Sequence, residues 1–116
     1  DGLAELHQVG SMHERKNKMF ELSDASVILP GGLGTLDEAM EIITWKQLQV
    51  HAKPVVVLNV AGYWEPLKAL IDWTIGNGFA HPKVRDLFTV VDTVDEVFPA
   101  IAAAPEPDIV VLNSHL

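Results

Sequence analysis

Two short segments of the chain hold the residues best suited to binding a small anion. Residues 11–16 (SMHERK) contain Arg15 and Lys16, the only adjacent pair of Lys or Arg residues in the sequence. Residues 30–38 (PGGLGTLDE) contain three glycines directly before a run of helix-forming residues. Glycine lets the backbone approach a ligand closely, and the free N–H groups at a helix start attract anions. The glycine segment therefore predicts a phosphate site, and the basic pair would supply positive charge beside it.

Each segment also has a purely structural explanation. Thr35 stands where the N-cap of a helix belongs, and residues 35–38 (TLDE) fit a capping box in which Glu38 bonds the backbone N–H of Thr35. Glycines after a strand can serve a turn alone. Arg15 and Lys16 can lie on a solvated helix face, balanced by neighbouring glutamates. The residues by themselves leave both explanations open for both segments.

Strand and helix patterns alternate along the chain and place both segments after strands. Short apolar runs predict strands at residues 3–9, 25–29, 53–59 and 87–91. Helix-forming segments follow at residues 13–22, 35–50, 64–77 and, opened by a capping box at residues 93–96, to about residue 104. Valine-rich strands that alternate with helices are typical of an α/β fold, in which a parallel sheet carries helices on both faces. Ligands then bind beyond the carboxyl ends of the strands, where both segments would lie.

Length and composition limit the classes of function. With 116 residues we expect one domain over residues 1–104 and a tail at residues 105–116. The net charge of −8 argues against a nucleic-acid partner, which requires clustered cations. The absence of cysteine excludes disulfides, thiolate catalysis and Cys-ligated zinc. No apolar run has the length of a membrane span and no signal peptide is recognisable, so we expect no membrane partner and a cytoplasmic location.

Taken together, residues 12–16 (MHERK) and 30–38 (PGGLGTLDE) resemble the LOG ("Lonely guy") family, the cytokinin riboside 5'-monophosphate phosphoribohydrolases. Many members carry the older label "possible lysine decarboxylase". The likeness covers roughly residues 3–103 and continues through the segments ITW (43–45), HAKP (51–54) and LNVAGY (58–63). It implies a Rossmann-like fold and hydrolysis of the N-glycosidic bond of a nucleoside 5'-monophosphate, either AMP or an N6-prenylated AMP. The products would be a free base and ribose 5-phosphate, with no cofactor and no metal.

Position by position, the resemblance implies that Arg15 and Glu38 are the catalytic pair. It implies substrate or phosphate contacts at Lys16, Gly31, Gly32, Leu33, Gly34, Thr35, Leu36, Asp37 and Thr44. Asp37 departs from the glutamate that the family usually has there. Cleavage of a ribosyl C–N bond builds positive charge on the sugar, which an ionised Glu38 would stabilise, or Glu38 would activate water. Arg15 would hold the substrate and stabilise negative charge at the phosphate or leaving base.

The resemblance also implies what this chain lacks. Family members begin with a further strand–helix portion whose glycine-containing loop helps to form the nucleotide site, so we expect an N-terminally truncated member. A homodimer is expected through the helix at residues 35–50, with Leu48 and the ITW segment as its apolar surface.

Two alternatives to an active enzyme remain at this point. One is a non-catalytic nucleotide-binding or sensing module, which would keep the glycine segment but has no need for both Arg15 and Glu38. The other is a fragment that is inactive by itself. The decarboxylase label is disfavoured, because that chemistry needs a pyridoxal phosphate on a lysine with dedicated ring partners, and no lysine here has such surroundings.

Overall fold

A computed structural model describes residues 6–8 and 24–104 of the chain. Features predicted above that lie outside these residues are Arg15, Lys16, the helix at residues 13–22 and the tail at residues 105–116.

The described residues form one parallel sheet of four strands in the order β1-β2-β3-β4. The strands are β1 Leu6–Gln8, β2 Ala25–Ile28, β3 Val55–Leu58 and β4 Thr89–Val91. The register pairs Val27 with Val56 and Val57 with Val90. The predicted α/β fold with a parallel sheet is confirmed.

Within the described residues, three α-helices and three 3₁₀ helices connect or follow these strands. The α-helices are α1 Leu33–Gln47, α2 Glu65–Gly76 and α3 Val97–Ala102. The 3₁₀ helices are Val60–Gly62, Pro82–Leu87 and Val94–Glu96. Within residues 6–8 and 24–104, no helix has the length and apolar character needed to cross a bilayer.

Side chains of the sheet alternate between two apolar clusters, because successive residues of a strand point to opposite faces. On one face Ile28, Val55 and Val57 pack against α1, α2 and the 3₁₀ helix Pro82–Leu87. On the other face the cluster formed by the strands and α3 consists of Ala25, Val56, Leu58, Val91, Val97 and Ile101. Helices therefore cover both faces, and α1 and α2 both pack on the first of them.

The start of α1 differs from the prediction. The helix begins at Leu33 rather than Thr35, and Gly32 is its N-cap with extended backbone angles (φ −92°, ψ −153°). The N–H of Leu36 donates to the carbonyl of Gly32 at 3.0 Å, which closes the first helical turn two residues earlier than expected. Thr35 is then the third helical residue, so the capping box predicted at residues 35–38 is wrong.

The end of α1 also comes earlier than predicted, at Gln47 instead of Val50. Gln49 adopts a positive φ of 68°. Around it the N–H of Val50 donates to the carbonyl of Trp45 at 2.8 Å, and the N–H of Gln49 donates to Lys46 at 3.2 Å. This pair of bonds is a Schellman motif, which ends a helix by satisfying its last carbonyl groups.

Candidate functional site

The two loops that bear on the site follow β2 and β3, which are neighbours in the sheet. Residues 29–32 lead from β2 into α1, and residues 59–64 lead from β3 into α2. Because the strands are parallel, both loops lie at the carboxyl edge of the sheet, where α/β proteins bind ligands.

The three glycines of the first loop have different surroundings. A Cβ on Gly31 would lie 2.3 Å from Oγ1 of Thr35, so a side chain cannot be accommodated there without movement. A Cβ on Gly32 or Gly34 would meet no atom of the described residues within 4 Å. Leu33 between them is 84% exposed. Gly31 is therefore required by packing, whereas Gly32 and Gly34 leave the backbone at the helix start open to a ligand.

The N-terminus of α1 has the features of an anion site. The first N–H groups of an α-helix have no carbonyl partner within the helix. Among the described residues, no side chain caps this helix start, and no acidic residue lies in its first turn. Leu36 already donates its N–H to Gly32, which leaves the N–H groups of residues 32–35 as the donors for an anion. The 15 residues of α1 add their helix dipole.

Glu38 lies in the second turn of α1 and is 5% exposed. Its side chain shares the buried part of the helix with Ile42 and with Lys46, which is 2% exposed. A charged group is costly to remove from water unless polar partners surround it. Buried placement one turn beyond the glycines suits a carboxylate that acts on a bound ligand.

The other predicted contact residues on α1 are spread along the helix. Asp37 is exposed, whereas Leu36 is half-buried and packs against the core shared by α1 and α2. Thr44 is half-buried and lies about 13 Å along the axis from Thr35, given a rise of about 1.5 Å per residue. The structure thus brings the glycines, Thr35 and Glu38 together and leaves Thr44 two and a half turns away.

Two residues after β3, Asn59 and Tyr63, belong to this edge of the sheet and were missed as site residues. Asn59 is buried; its Nδ2 donates to Oε2 of Glu65 at 2.7 Å, and its Oδ1 accepts from the N–H of Trp64 at 2.6 Å. The hydroxyl of Tyr63 donates to the carbonyl of Gly31. The LNVAGY segment (58–63) contained these residues, but a contact between residues 32 positions apart leaves no trace in local spacing.

An apolar groove opens between the first turns of α1 and α2, beside the glycine loop. Its volume is about 360 Å³, and it is lined by Leu36, Tyr63, Trp64, Pro66, Leu67 and Leu70. The indole Nε1 of Trp64 is buried with no hydrogen-bond partner among the described residues. The groove therefore places apolar surface next to the backbone donors of the loop.

His51 connects the end of α1 to the start of β3. Its Nε2 lies 2.9 Å from the carbonyl of Ile42, and its Nδ1 accepts from the N–H of Lys53 at 3.0 Å. These two bonds describe a neutral imidazole that donates from Nε2. Burial lowers the pKa of His51 from its ordinary value, and the charges of Lys46 and Lys53 lower it further, against the opposing effect of the Ile42 carbonyl.

No group of three or more His, Asp or Glu side chains in the described part of the chain is arranged to hold a metal ion.

Parallel strands with helices on both faces, and a glycine-rich helix start at the carboxyl edge of the sheet, define a Rossmann-like α/β protein. A family model described as "Possible lysine decarboxylase" matches residues 1–101. The chain belongs to this family, which is the LOG family of the resemblance noted from the sequence, and that prediction is confirmed.

Curated relatives carry a more specific name. The chain is 54% identical over 86 residues to "Probable cytokinin riboside 5'-monophosphate phosphoribohydrolase LOGL9" of Oryza sativa subsp. japonica, an alignment covering 74% of this chain and 38% of the relative. It is 44% identical over 95 residues to "Cytokinin riboside 5'-monophosphate phosphoribohydrolase LOG3" of Arabidopsis thaliana, covering 82% of this chain and 44% of the relative. The chain therefore spans less than half the length of these relatives.

Proposed function

We propose that the chain carries the phosphate-binding and catalytic elements of a nucleoside 5'-monophosphate phosphoribohydrolase. The reaction is hydrolysis of the N-glycosidic bond of cytokinin riboside 5'-monophosphate or AMP, and it yields a free base and ribose 5-phosphate. The relatives' names supply the substrate class. The observation that carries the proposal is the helix start at Gly32, open and without a side-chain cap among the described residues, with the buried Glu38 one turn beyond it.

Phosphate binding is assigned to the start of α1. The N–H groups of residues 32–35 and the helix dipole would hold the 5'-phosphate, and Lys16 would add positive charge. Gly31, Leu33 and Leu36 shape the loop around these donors, and Asp37 and Thr44 stay predicted substrate contacts.

Catalysis is assigned to Glu38 together with Arg15. Departure of the base leaves positive charge on the ribose, which the Glu38 carboxylate would stabilise or relieve by activating the attacking water. Arg15 would hold the phosphate and stabilise negative charge that develops on the leaving base. In the proposed step Glu38 and Arg15 supply the acid–base and electrostatic contributions, and no cofactor takes part.

One assay separates this proposal from its alternatives. The complete protein and the 116-residue chain are incubated separately with AMP and with isopentenyladenosine monophosphate, and free base and ribose 5-phosphate are quantified by chromatography. Release of base by the complete protein supports the enzyme. Nucleotide binding without release supports the non-catalytic module, and release by the complete protein alone identifies the chain as an inactive fragment.

Arg15→Ala gives the companion measurement in the complete protein. A guanidinium that contacts the phosphate strengthens binding in the ground state, and one that stabilises negative charge on the leaving base acts only in the transition state. The variant should therefore bind AMP more weakly and turn it over more slowly. Unchanged binding and turnover would show that Arg15 does not act in the site.

We also propose that the protein forms a homodimer and is cytoplasmic. Exposed apolar side chains favour an interface: Leu33 begins α1, Leu48 follows its last residue, and Leu70 lies on α2. The ITW segment is not the surface expected from the sequence, because Ile43 is buried and Trp45 packs against the core. Light scattering at micromolar concentration measures the mass directly, and a monomer would contradict the dimer.

A further inference from the structure

Tyr63 joins the two loops at the carboxyl edge of the sheet. Its hydroxyl donates to the carbonyl of Gly31, across 32 positions of sequence, although the side chain is 49% exposed and has access to water. This hydrogen bond joins the loop after β3 directly to the proposed phosphate site.

The loop that carries Tyr63 is held in place before any ligand binds. Asn59 bonds both the N–H of Trp64 and the carboxylate of Glu65, which fixes the start of α2 relative to the end of β3. Ala61 and Gly62 take positive φ values of 52° and 75°, which turn the chain sharply between them. The rings of Tyr63 and Trp64 meet edge to face, with centroids 5.0 Å apart and an interplanar angle of 85°.

The direction of the Gly31 carbonyl determines the direction of one N–H group in the glycine loop. It belongs to the same peptide unit as the N–H of Gly32, and in a planar trans peptide these two groups point in opposite directions. Fixing the carbonyl towards Tyr63 therefore fixes the direction of the Gly32 N–H. Since glycine permits either sign of φ, the peptide between two glycines can rotate readily unless something holds it.

We propose that Tyr63 is a positioning residue that orients the Gly31–Gly32 peptide and so presents the Gly32 N–H to the substrate phosphate. This inference rests on the phosphate-binding role proposed for the start of α1. Tyr63 itself acts through the loop and takes no part in the bond that is cleaved.

The test uses Tyr63→Phe in the complete protein, because phenylalanine keeps the edge-to-face contact with Trp64 and removes only the hydroxyl. Trp73→Phe is the control, since Trp73 is a 70% exposed aromatic residue on α2 that lies outside the groove. Without ligand, amide hydrogen exchange of Leu36, whose N–H donates to the carbonyl of Gly32, should accelerate about 3- to 10-fold in Tyr63→Phe, which corresponds to the net contribution of one hydrogen bond. Exchange in β3 should stay as in the unsubstituted protein, and Trp73→Phe should exchange normally throughout.

Kinetics provide the second readout. Phosphate contacts act equally in the ground state and the transition state, so their weakening appears in KM. Tyr63→Phe should raise KM for AMP about 3- to 10-fold and keep kcat within about twofold. Normal loop exchange with a normal KM would overturn the proposal. If the unsubstituted protein hydrolyses neither AMP nor isopentenyladenosine monophosphate, the proposed function fails, while the exchange measurement and the affinity for ribose 5-phosphate still decide the role of Tyr63.

Discussion

Two helix starts in this chain carry nearly the same four residues. Residues 35–38 read Thr-Leu-Asp-Glu, and residues 93–96 read Thr-Val-Asp-Glu. At the second start a capping box forms, and Oε1 of Glu96 accepts from the N–H groups of Thr93 at 3.0 Å and Asp92 at 2.9 Å. At the first start the helix already begins at Leu33, and Glu38 is buried in its second turn.

The residues before the threonine account for the difference. Gly31 and Gly32 let the chain turn into α1 early, and Gly32 takes the extended N-cap conformation without a capping side chain among the described residues. Asp92 instead precedes Thr93, whose own extended angles (φ −133°, ψ 158°) make it the N-cap. The start of α1 has no side-chain cap among the described residues, and its glutamate lies buried in the second turn instead of in a capping box. The capped start uses the same residue types to stabilise the helix.

Replacement of the two glutamates should give the largest contrast. In the complete protein Glu38→Gln should lower turnover of AMP about 10²- to 10⁴-fold, the usual range for loss of a general base or stabilising carboxylate. Glu96→Gln should leave turnover unchanged, since glutamine is also accepted in a capping box. Release of free base measures both variants. Near-normal hydrolysis by Glu38→Gln would favour the binding module.

The free energy of unfolding should depend on which glycine of the loop receives a methyl group, Gly31 or Gly34. Gly31→Ala forces its Cβ against Thr35 and should destabilise the fold by about 1–3 kcal/mol, the usual cost of overpacking. Gly34→Ala meets open space inside the first turn of α1 and should be neutral or stabilising by up to about 1 kcal/mol. Urea unfolding of each variant gives these free energies. Equal stabilities would contradict the close packing of Gly31.

Removal of the two threonine hydroxyls tests the capping difference itself. Thr93→Ala should lower the free energy of unfolding by about 1 kcal/mol, the typical value of an N-cap. Thr35→Ala loses no cap, because Thr35 is the third residue of α1, and it should lower the free energy of unfolding by less. Denaturation midpoints compare the pair. A larger loss from Thr35→Ala would mean that its hydroxyl has a stabilising partner of its own.

The smallest expected effect concerns the far end of α1 and is a pH dependence. The pKa of His51 is lowered from 6.5 in the folded protein by burial, so unfolding allows it to take up a proton more readily. Its contribution to stability is therefore complete above pH 6.5 and decreases as the pH falls below that value towards the folded pKa. Urea unfolding between pH 8 and pH 5 measures the slope.

The chain supplies a matched control for this histidine. His81 makes the same kind of bond, with its Nδ1 accepting from the N–H of Lys83 at 3.1 Å, in an exposed position. His51→Gln should flatten the decrease in stability below pH 6.5, and His81→Gln should retain it. A decrease that persists unchanged in His51→Gln would assign the effect to other groups.

Several features of this protein were determined by local sequence. The short apolar runs predicted β2 and β3, because a strand buried on both faces needs mostly apolar side chains. The capping box at Thr93 formed as expected, since its two partners are three residues apart. The family was also recognisable from the spacing of the residues themselves, and the family model confirms it.

The tertiary structure decided the remainder. The start of α1 could not be predicted from residues 35–38, because a local pattern does not show whether Gly32 or Thr35 becomes the N-cap. The burial of Glu38 depends on what packs around α1, and the bond from Tyr63 to Gly31 depends on β2 and β3 lying side by side. Sequence therefore specified the residue types of the site, and the contacts between distant segments specified what each of them is placed to do.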